Sequence, residues 1–181
     1  MIYFDNAATT RALDIVSERV GHMLLDNYGN PSSQSMMGVR AEREIIEARK
    51  VMASAINALP EEIYYTSGGT ESDNWAVFGT ARGYLRNGRH MITTAIEHPA
   101  MLMPMMQLKE MGWDITVLGV DCAGYIDIDE LKAAVRDDTV LVSTILINNE
   151  TGTIQNAAEI SRAIKSVNPN TLYHVDAVQA F

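Results

Sequence analysis

Cysteine is almost absent from the sequence. The single residue, Cys122, excludes a framework of internal disulfide bonds and fits a reducing compartment. No apolar run approaches the length of a membrane span, and the start, MIYFDNAATT, has neither the basic region nor the apolar core of a secretory signal. We therefore expect a cytoplasmic protein that does not bind a membrane.

Basic residues are also scarce. The chain has 14 Lys and Arg against 23 Asp and Glu, a formal net charge of −9, and the basic residues form no continuous stripe. A nucleic acid is therefore not an expected partner. A bound phosphate would be held mainly by backbone N–H groups and hydroxyls, and the sequence suggests no metal site.

What the sequence does contain is a regular alternation of strand and helix patterns over its 181 residues. The β-rich runs are 63–67, 90–95, 114–120, 139–147 and 171–176. The helical patterns are 12–25, 39–58, 70–86, 99–111, 128–136 and 157–167. Such alternation with nearly continuous apolar strands predicts an α/β fold of three layers, in which helices cover both faces of a mostly parallel sheet.

The helix predicted at 39–58 carries an apolar stripe that we expect to face a core. Its members are Ile45, Ile46, Val51, Met52, Ala55, Ile56 and Leu59. Pro60 follows the end of this helix and is a normal stop signal.

Candidate functional residues are expected in the loops at the carboxyl ends of the strands. The first strand is followed by GGTESDNWAV, where two glycines let the backbone approach a ligand closely. Thr70 is expected to cap the next helix, with Asp73 at the capping-box position. The free N–H groups at this helix end would form an anion site, although an ordinary tight turn would have the same letters.

Two further loops supply neutral polar groups. His98, in AIEHPAM, lies between a strand and a helix that Pro99 can start, so it suits acid–base chemistry, stacking on a planar ring, or helix capping. INNETGTIQ places two amides and Glu150 after the fourth strand. They could orient a polar ring substituent, or they could simply form a turn.

Asp176, at the tip of the last strand in YHVDAVQAF, is the candidate residue that most requires a binding partner. A carboxylate on a buried strand needs a cationic partner, and no Lys or Arg lies near it in the sequence. A protonated pyridine nitrogen from a cofactor would meet this need and would remain electron-poor beside the acid. A distant arginine is the structural alternative.

Taken in order, six segments resemble the N-terminal half of cysteine desulfurases, which are pyridoxal phosphate enzymes of the class V aminotransferase group. They are YFDNAATT, YGNPSS, TSGGTESDN, AIEHPA, NNETGTIQ and YHVDAVQ. The resemblance implies the large domain of the fold-type I transferases, incomplete at its C-terminus. Residues 1–38 would contribute to the active-site edge and the small domain, and residues 39–181 would form part of the cofactor-binding domain.

The resemblance also implies residue roles. Gly69 and Thr70 would hold the cofactor phosphate, and Asn149 and Gln179 would contact the phenolic oxygen of the ring. Asp176 would pair with the ring nitrogen. His98 would stack on the ring and assist proton transfer, so it is the one catalytic residue implied here.

The parent reaction implied by the resemblance converts L-cysteine to L-alanine and passes sulfur to an enzyme thiol. Iron–sulfur cluster assembly or thio-cofactor synthesis would use that sulfur. The partners would be L-cysteine, a sulfur acceptor such as an iron–sulfur scaffold protein, and a second copy in a homodimer. The family's Schiff-base lysine, nucleophilic cysteine and carboxylate-binding arginine would lie beyond Phe181, so we expect this chain alone to be inactive.

Two alternatives remain open at this point. One is a related class V lyase or transaminase such as a selenocysteine lyase, and the other is a non-catalytic truncated paralogue that acts as a binding subunit. Two positions depart from the family pattern: Ser35 stands where a histidine is common, and Thr151 replaces a usual apolar residue. Cys122 lies in a turn segment, VDCAGYID, and is not expected to be a reactive thiol.

Overall fold

The computed structural model describes residues 2–180 and divides the chain between Tyr65 and Thr66 into two compact units. The first unit contains α1 (Asp14–Leu25), α2 (Met36–Ala55) and a short 3-10 turn, Pro60–Glu62. The second contains α3 (Gly69–Gly83), β1 (His90–Thr94), α4 (Pro99–Glu110), β2 (Asp114–Leu118), α5 (Ile128–Ala134), β3 (Thr139–Ile145), α6 (Ala157–Val167) and β4 (Leu172–Asp176). Over the described part of the chain, no helix is long and apolar enough to cross a membrane.

The second unit is built on a four-stranded sheet in the order β2-β1-β3-β4. Every neighbouring pair is parallel, because a helix connects each strand to the next one along the chain and returns the chain to the end of the sheet where strands begin. Side chains alternate across this sheet. Met91 and Leu141 pack with residues of α3 and α4, whereas Ile92 and Val142 pack with residues of α5 and α6. The predicted three-layer α/β fold is confirmed for this unit.

All six predicted helices form, but one predicted strand does not. Residues 63–67 pair with no strand among the described residues, and the boundary between the two units falls within them. Tyr64 and Tyr65 are 72% and 46% exposed. The β-branched and aromatic residues of this run favour a strand, but a strand also requires a neighbouring strand that pairs with its backbone N–H and C=O groups.

The apolar stripe of α2 is a second correction. Ile45 is half-buried, and the other members of the stripe are exposed; Val51 is 69% exposed and Ile56 is 55% exposed. The buried residues of α2 are instead Gly38, Ala41 and Ala53. The expectation that the stripe faces a core is therefore wrong within the first unit, because no element of that unit covers it.

Candidate active site

The carboxyl ends of three neighbouring parallel strands bring the predicted site residues to one edge of the sheet. His98 lies beyond the end of β1, Asn149 lies beyond the end of β3, and Asp176 is the last residue of β4. The strands β1, β3 and β4 are adjacent in the sheet. Residues that are up to about 80 positions apart therefore share one edge, as the alternating pattern predicts.

The start of α3 differs from the prediction in its capping. Gly68 is the N-cap, and Thr70 lies within the helix, so the expectation that Thr70 caps it is wrong. Glu71 reaches back instead: its Oε2 accepts hydrogen bonds from the backbone N–H of Ser67 at 2.6 Å and from Ser67 Oγ at 2.7 Å. These bonds lower the pKa of Glu71, the backbone bond most. Asp73 is therefore free of the capping role and is buried.

The N-terminus of α3 retains the properties of an anion site. Among residues 2–180, the backbone N–H groups of Gly69 and Thr70 have no acceptor, and the first turn of a helix carries a partial positive charge. Gly69 also lies very close to the turn after β4, since a Cβ added there would be 2.8 Å from Val178 Cγ2. A side chain at this position would require the Val178 side chain or the helix start to shift.

Asp176 is buried, with 5% of its surface exposed. Its Oδ1 accepts a hydrogen bond from the backbone N–H of Val178 at 3.0 Å. Within the described chain, no Lys or Arg forms an ion pair with this carboxylate, so the alternative of a distant arginine partner is not observed there. A buried carboxylate of this kind is costly unless a cation or further donors reach it.

Next to Asp176 lies a row of buried and half-buried polar residues that sequence reasoning did not identify. Asp73 Oδ1 is 3.8 Å from His174 Nε2, and His174 Nδ1 is 2.9 Å from Ser143 Oγ. Burial, followed by the charge of Asp176, raises the pKa of Asp73 to about 6. Burial lowers the pKa of His174, although Asp176 opposes this effect. The available signal was spacing, because His174 is two positions from Asp176 and so shares its face of the strand.

His98 is the N-cap of α4, and its Nδ1 accepts a hydrogen bond from the backbone N–H of Ala100 at 3.1 Å. The capping interpretation is therefore confirmed, and it leaves Nε2 and the faces of the exposed ring for other contacts. The same histidine lines an open cavity of about 630 Å³ together with Thr70, Asn74 and Gln107. This cavity brings His98 and Thr70, from two predicted site loops, to one surface.

The two asparagines after β3 have different surroundings. Asn148 is buried, and it holds the turn: its Oδ1 accepts from the backbone N–H groups of Glu150 at 2.9 Å and Thr151 at 2.8 Å. Asn149 is exposed, and its side chain makes no hydrogen bond to any residue in 2–180. The turn role therefore belongs to Asn148, and Asn149 can contact a ligand.

Glu97, which directly precedes His98, is a further buried acid with only 5% of its surface exposed. Its Oε1 accepts from Thr94 Oγ1 and from the backbone N–H of Ile145 at 2.9 Å. Its Oε2 is buried and has no hydrogen-bond partner among the described residues. Burial raises the pKa of Glu97 to about 7, although both hydrogen bonds oppose the shift. Local sequence did not predict this burial, because a glutamate in a loop is normally solvated.

Comparison with known proteins identifies the family. The profile of the class V aminotransferases matches residues 2–181. The chain belongs to the class V aminotransferase family. A curated class V relative, the cysteine desulfurase IscS of Neisseria gonorrhoeae, is 44% identical over 180 residues, which are 99% of this chain and 44% of that protein.

Two solved structures are similar to the chain over nearly all of its length. A NifS-like protein has a TM-score of 0.97 and 41% identity, and the match covers 99% of this chain and 49% of that one. The structure of SspA in complex with cysteine has a TM-score of 0.93 and 34% identity, and covers 99% and 51%. The chain thus corresponds to the N-terminal half of its class V relatives and spans about half their length, as the sequence motifs predicted.

The two departures from the class V pattern both have local structural roles. Ser35 is the N-cap of α2, and its Oγ accepts a hydrogen bond from the backbone N–H of Gly38 at 3.2 Å. Thr151 donates from Oγ1 to Asn148 Oδ1 at 3.1 Å. An apolar residue at position 151 would leave that acceptor with two donors instead of three.

Proposed function

We propose that the chain forms the N-terminal part of the pyridoxal phosphate-binding domain of a cysteine desulfurase. The class V family is dependent on this cofactor, and the relatives at about half-length coverage are cysteine desulfurases. The observation that carries the proposal is Asp176, a buried carboxylate that forms no ion pair with a Lys or Arg among the described residues. A protonated pyridine nitrogen is the partner whose chemistry fits it.

The donors around Asp176 fit the rest of the cofactor. The free N–H groups of Gly69 and Thr70 and the hydroxyl of Thr70 suit a phosphate. Asn149 and Gln179 lie in the loops that follow β3 and β4, and their amides suit the phenolic oxygen. The ring of His98 is exposed at the same edge and offers a flat surface for stacking on the pyridine ring.

Asp176, Val178 and His98 would each have a separate role towards the cofactor. A bound cofactor supplies an electron-poor ring that stabilises negative charge at the substrate carbon. Asp176 would stabilise a protonated ring nitrogen, because a buried carboxylate favours an adjacent cation. Val178 fixes one oxygen of Asp176 through its N–H, which leaves the other for the ring. His98 Nδ1 accepts the hydrogen bond of the helix cap, so Nε2 carries the ring N–H and can donate it to a ligand.

The parent substrate we propose is L-cysteine, since one related structure is a complex with cysteine. The products would be L-alanine and sulfur on an enzyme thiol, destined for an acceptor such as an iron–sulfur scaffold. We further propose a cytoplasmic homodimer that binds neither nucleic acid nor membrane, with residues 1–38 at the edge of the active site and residues 39–181 in the cofactor-binding domain.

The proposal is tested by the affinity of the full chain for pyridoxine 5′-phosphate, measured by equilibrium dialysis. This compound has an alcohol in place of the aldehyde, so it cannot condense with surface lysines. Asp176→Asn should weaken binding about 10-fold or more, because a hydrogen bond to a charged group contributes about 1.5–3 kcal/mol. Asp137→Asn, at an exposed loop position, is the matched control and should bind like the wild type. Equal affinity of Asp176→Asn and wild type would contradict the proposal.

Catalysis by the chain alone is a separate prediction. In the family that the sequence resembles, the Schiff-base lysine lies in a Ser-x-His-Lys segment, and the 181 residues of this chain contain no such segment. We therefore expect no L-alanine when the chain is incubated with pyridoxal phosphate and L-cysteine. Alanine is measured by chromatography after derivatisation. Alanine formation together with a borohydride-trapped adduct at one specific lysine would show that the expectation of inactivity is wrong.

A further inference from the structure

We propose that Glu97 and Asn148 are positioning residues, which together form a buried clamp that fixes the loop of His98 against the strand ends that carry Asn149 and Asp176. The functional meaning of this clamp depends on the proposed cofactor site. Its geometry does not, because every contact in it joins residues of this chain.

Glu97 forms the first arm of the clamp. Its Oε1 accepts from Thr94 Oγ1, at the end of β1, and from the backbone N–H of Ile145, the last residue of β3. Ile145 is the register partner of Asp176 on β4, and the backbone N–H of Leu146 donates to the carbonyl of Asp176 at 2.8 Å. One carboxyl oxygen therefore ties the residue before His98 to the strand end that holds Asp176.

Asn148 forms the second arm, which joins the turn after β3 to the loop that contains His98. Its Nδ2 donates to the carbonyl of Ile96 at 2.8 Å, two residues before His98. Its Oδ1 accepts from the N–H groups of Glu150 and Thr151, and from the hydroxyl of Thr151. The amide thus joins the loop of His98 to the turn that presents Asn149. Each member of the clamp directly precedes a predicted ligand-contacting residue.

Burial raises the energetic cost of losing these hydrogen bonds. Glu97 and Asn148 are 5% and 6% exposed, and a polar group in such surroundings is costly unless its hydrogen bonds are made. Displacing either loop would break bonds that water cannot replace. Glu97 also keeps one buried oxygen without a partner among the described residues, a local cost of the kind that calls for an explanation. Because Oε1 makes both bonds of this arm as an acceptor, the neutral side chain can make them, and so can the carbonyl oxygen of a glutamine.

The test uses the full chain and five variants: Glu97→Gln, Glu97→Asp, Glu97→Ala, Asn148→Ala and the exposed control Glu130→Ala. Hydrogen–deuterium exchange is followed by mass spectrometry on peptides covering 95–102 and 145–152. The dissociation constant of pyridoxine 5′-phosphate is measured in parallel. Glu97→Asp is included because it keeps a carboxyl group but is one methylene too short to reach Ile145.

We expect Glu97→Ala, Glu97→Asp and Asn148→Ala each to speed exchange in both peptides and to weaken probe binding about 10-fold or more. Glu97→Gln should stay within about 3-fold of wild type in both measurements, as should Glu130→Ala. A purely local structural role would speed exchange only in the peptide that contains the substitution and would leave probe affinity unchanged.

Three results overturn the clamp: faster exchange confined to the mutated loop, wild-type behaviour of Glu97→Asp, or a Glu97→Gln variant as impaired as Glu97→Ala. If the wild type fails to bind the probe, the proposed function is refuted, and the exchange data alone then decide for or against the clamp. If Glu97→Ala does not fold, the comparison of Glu97→Gln with Glu97→Asp supplies the same decision.

Discussion

Replacing Glu97 with glutamine should make the stability of the chain less sensitive to pH. Burial raises the pKa of this carboxyl from 4.5 to about 7. Between these two values the folded protein holds a proton that the unfolded chain has released. The free energy of unfolding therefore falls as the pH rises from about 4.5 to about 7. Above that range the titration of this group changes it no further.

The size of the effect follows from the shift. A difference of about 2.5 pKa units at about 1.4 kcal/mol per unit gives about 3 kcal/mol, of which about 2–3 kcal/mol is lost between pH 5 and pH 8. The titratable groups that act on Glu97 or respond to it are Asp73, Asp176 and Tyr173. Asp73 has a raised pKa and the same sign of pH dependence, so the glutamine variant should keep a smaller slope and not a flat profile.

The measurement is urea unfolding at pH 5, 6, 7 and 8, followed by the fluorescence of the buried Trp113 and by circular dichroism. The wild type should lose about 2–3 kcal/mol more than Glu97→Gln across this range. Glu130→Gln, at an exposed position of α5, should follow the wild type. Parallel profiles for wild type and Glu97→Gln would show that Glu97 is ionised in the folded state well below pH 7, and would refute the reasoning.

Three smaller perturbations test other parts of the structure. Gly69→Ala should weaken binding of pyridoxine 5′-phosphate about 10-fold or more in equilibrium dialysis, because the new Cβ would be 2.8 Å from Val178 Cγ2; unchanged affinity would contradict the close approach. Gly152→Ala should lower the urea unfolding free energy by about 1 kcal/mol or more, since φ is +74° there; an equal midpoint would argue against that conformation. Cys122→Ser should alter neither stability nor binding, because the thiol is exposed; a loss of either would reveal an unrecognised role.

Local patterns predicted the elements of this fold well, and non-local contacts account for the failures. The helix over Ala157–Val167 has a clear apolar periodicity, so its bounds were predictable. The run 63–67 has strand-like letters, but its pairing depends on a neighbour that no local pattern describes. The stripe of α2 has the same limitation, because periodicity identifies an apolar face and not the surface that covers it.

Local sequence likewise identified some residues of the candidate site and missed others. His98 and Asp176 were identifiable because strand ends in parallel sheets collect functional groups. Glu97 and Asn148 were not, since their importance comes from Ile145 and Ile96, which lie about 50 residues away in the chain. Asp73 was assigned to capping because its position fits a capping box with Thr70. Glu71 instead accepts the capping hydrogen bond, from the backbone N–H of Ser67 four residues earlier.

The contact between Gly69 and Val178 has a consequence for ligand choice. It brings the positively polarised start of α3 close to the turn that follows Asp176, so a ligand that reached both would meet two groups of opposite polarity at a spacing given by the fold. A molecule with an anion at one end and a cation at the other satisfies both only when its own length agrees. Compounds in which the same charges are farther apart or closer together would engage one end and leave the other solvated, whatever their total charge.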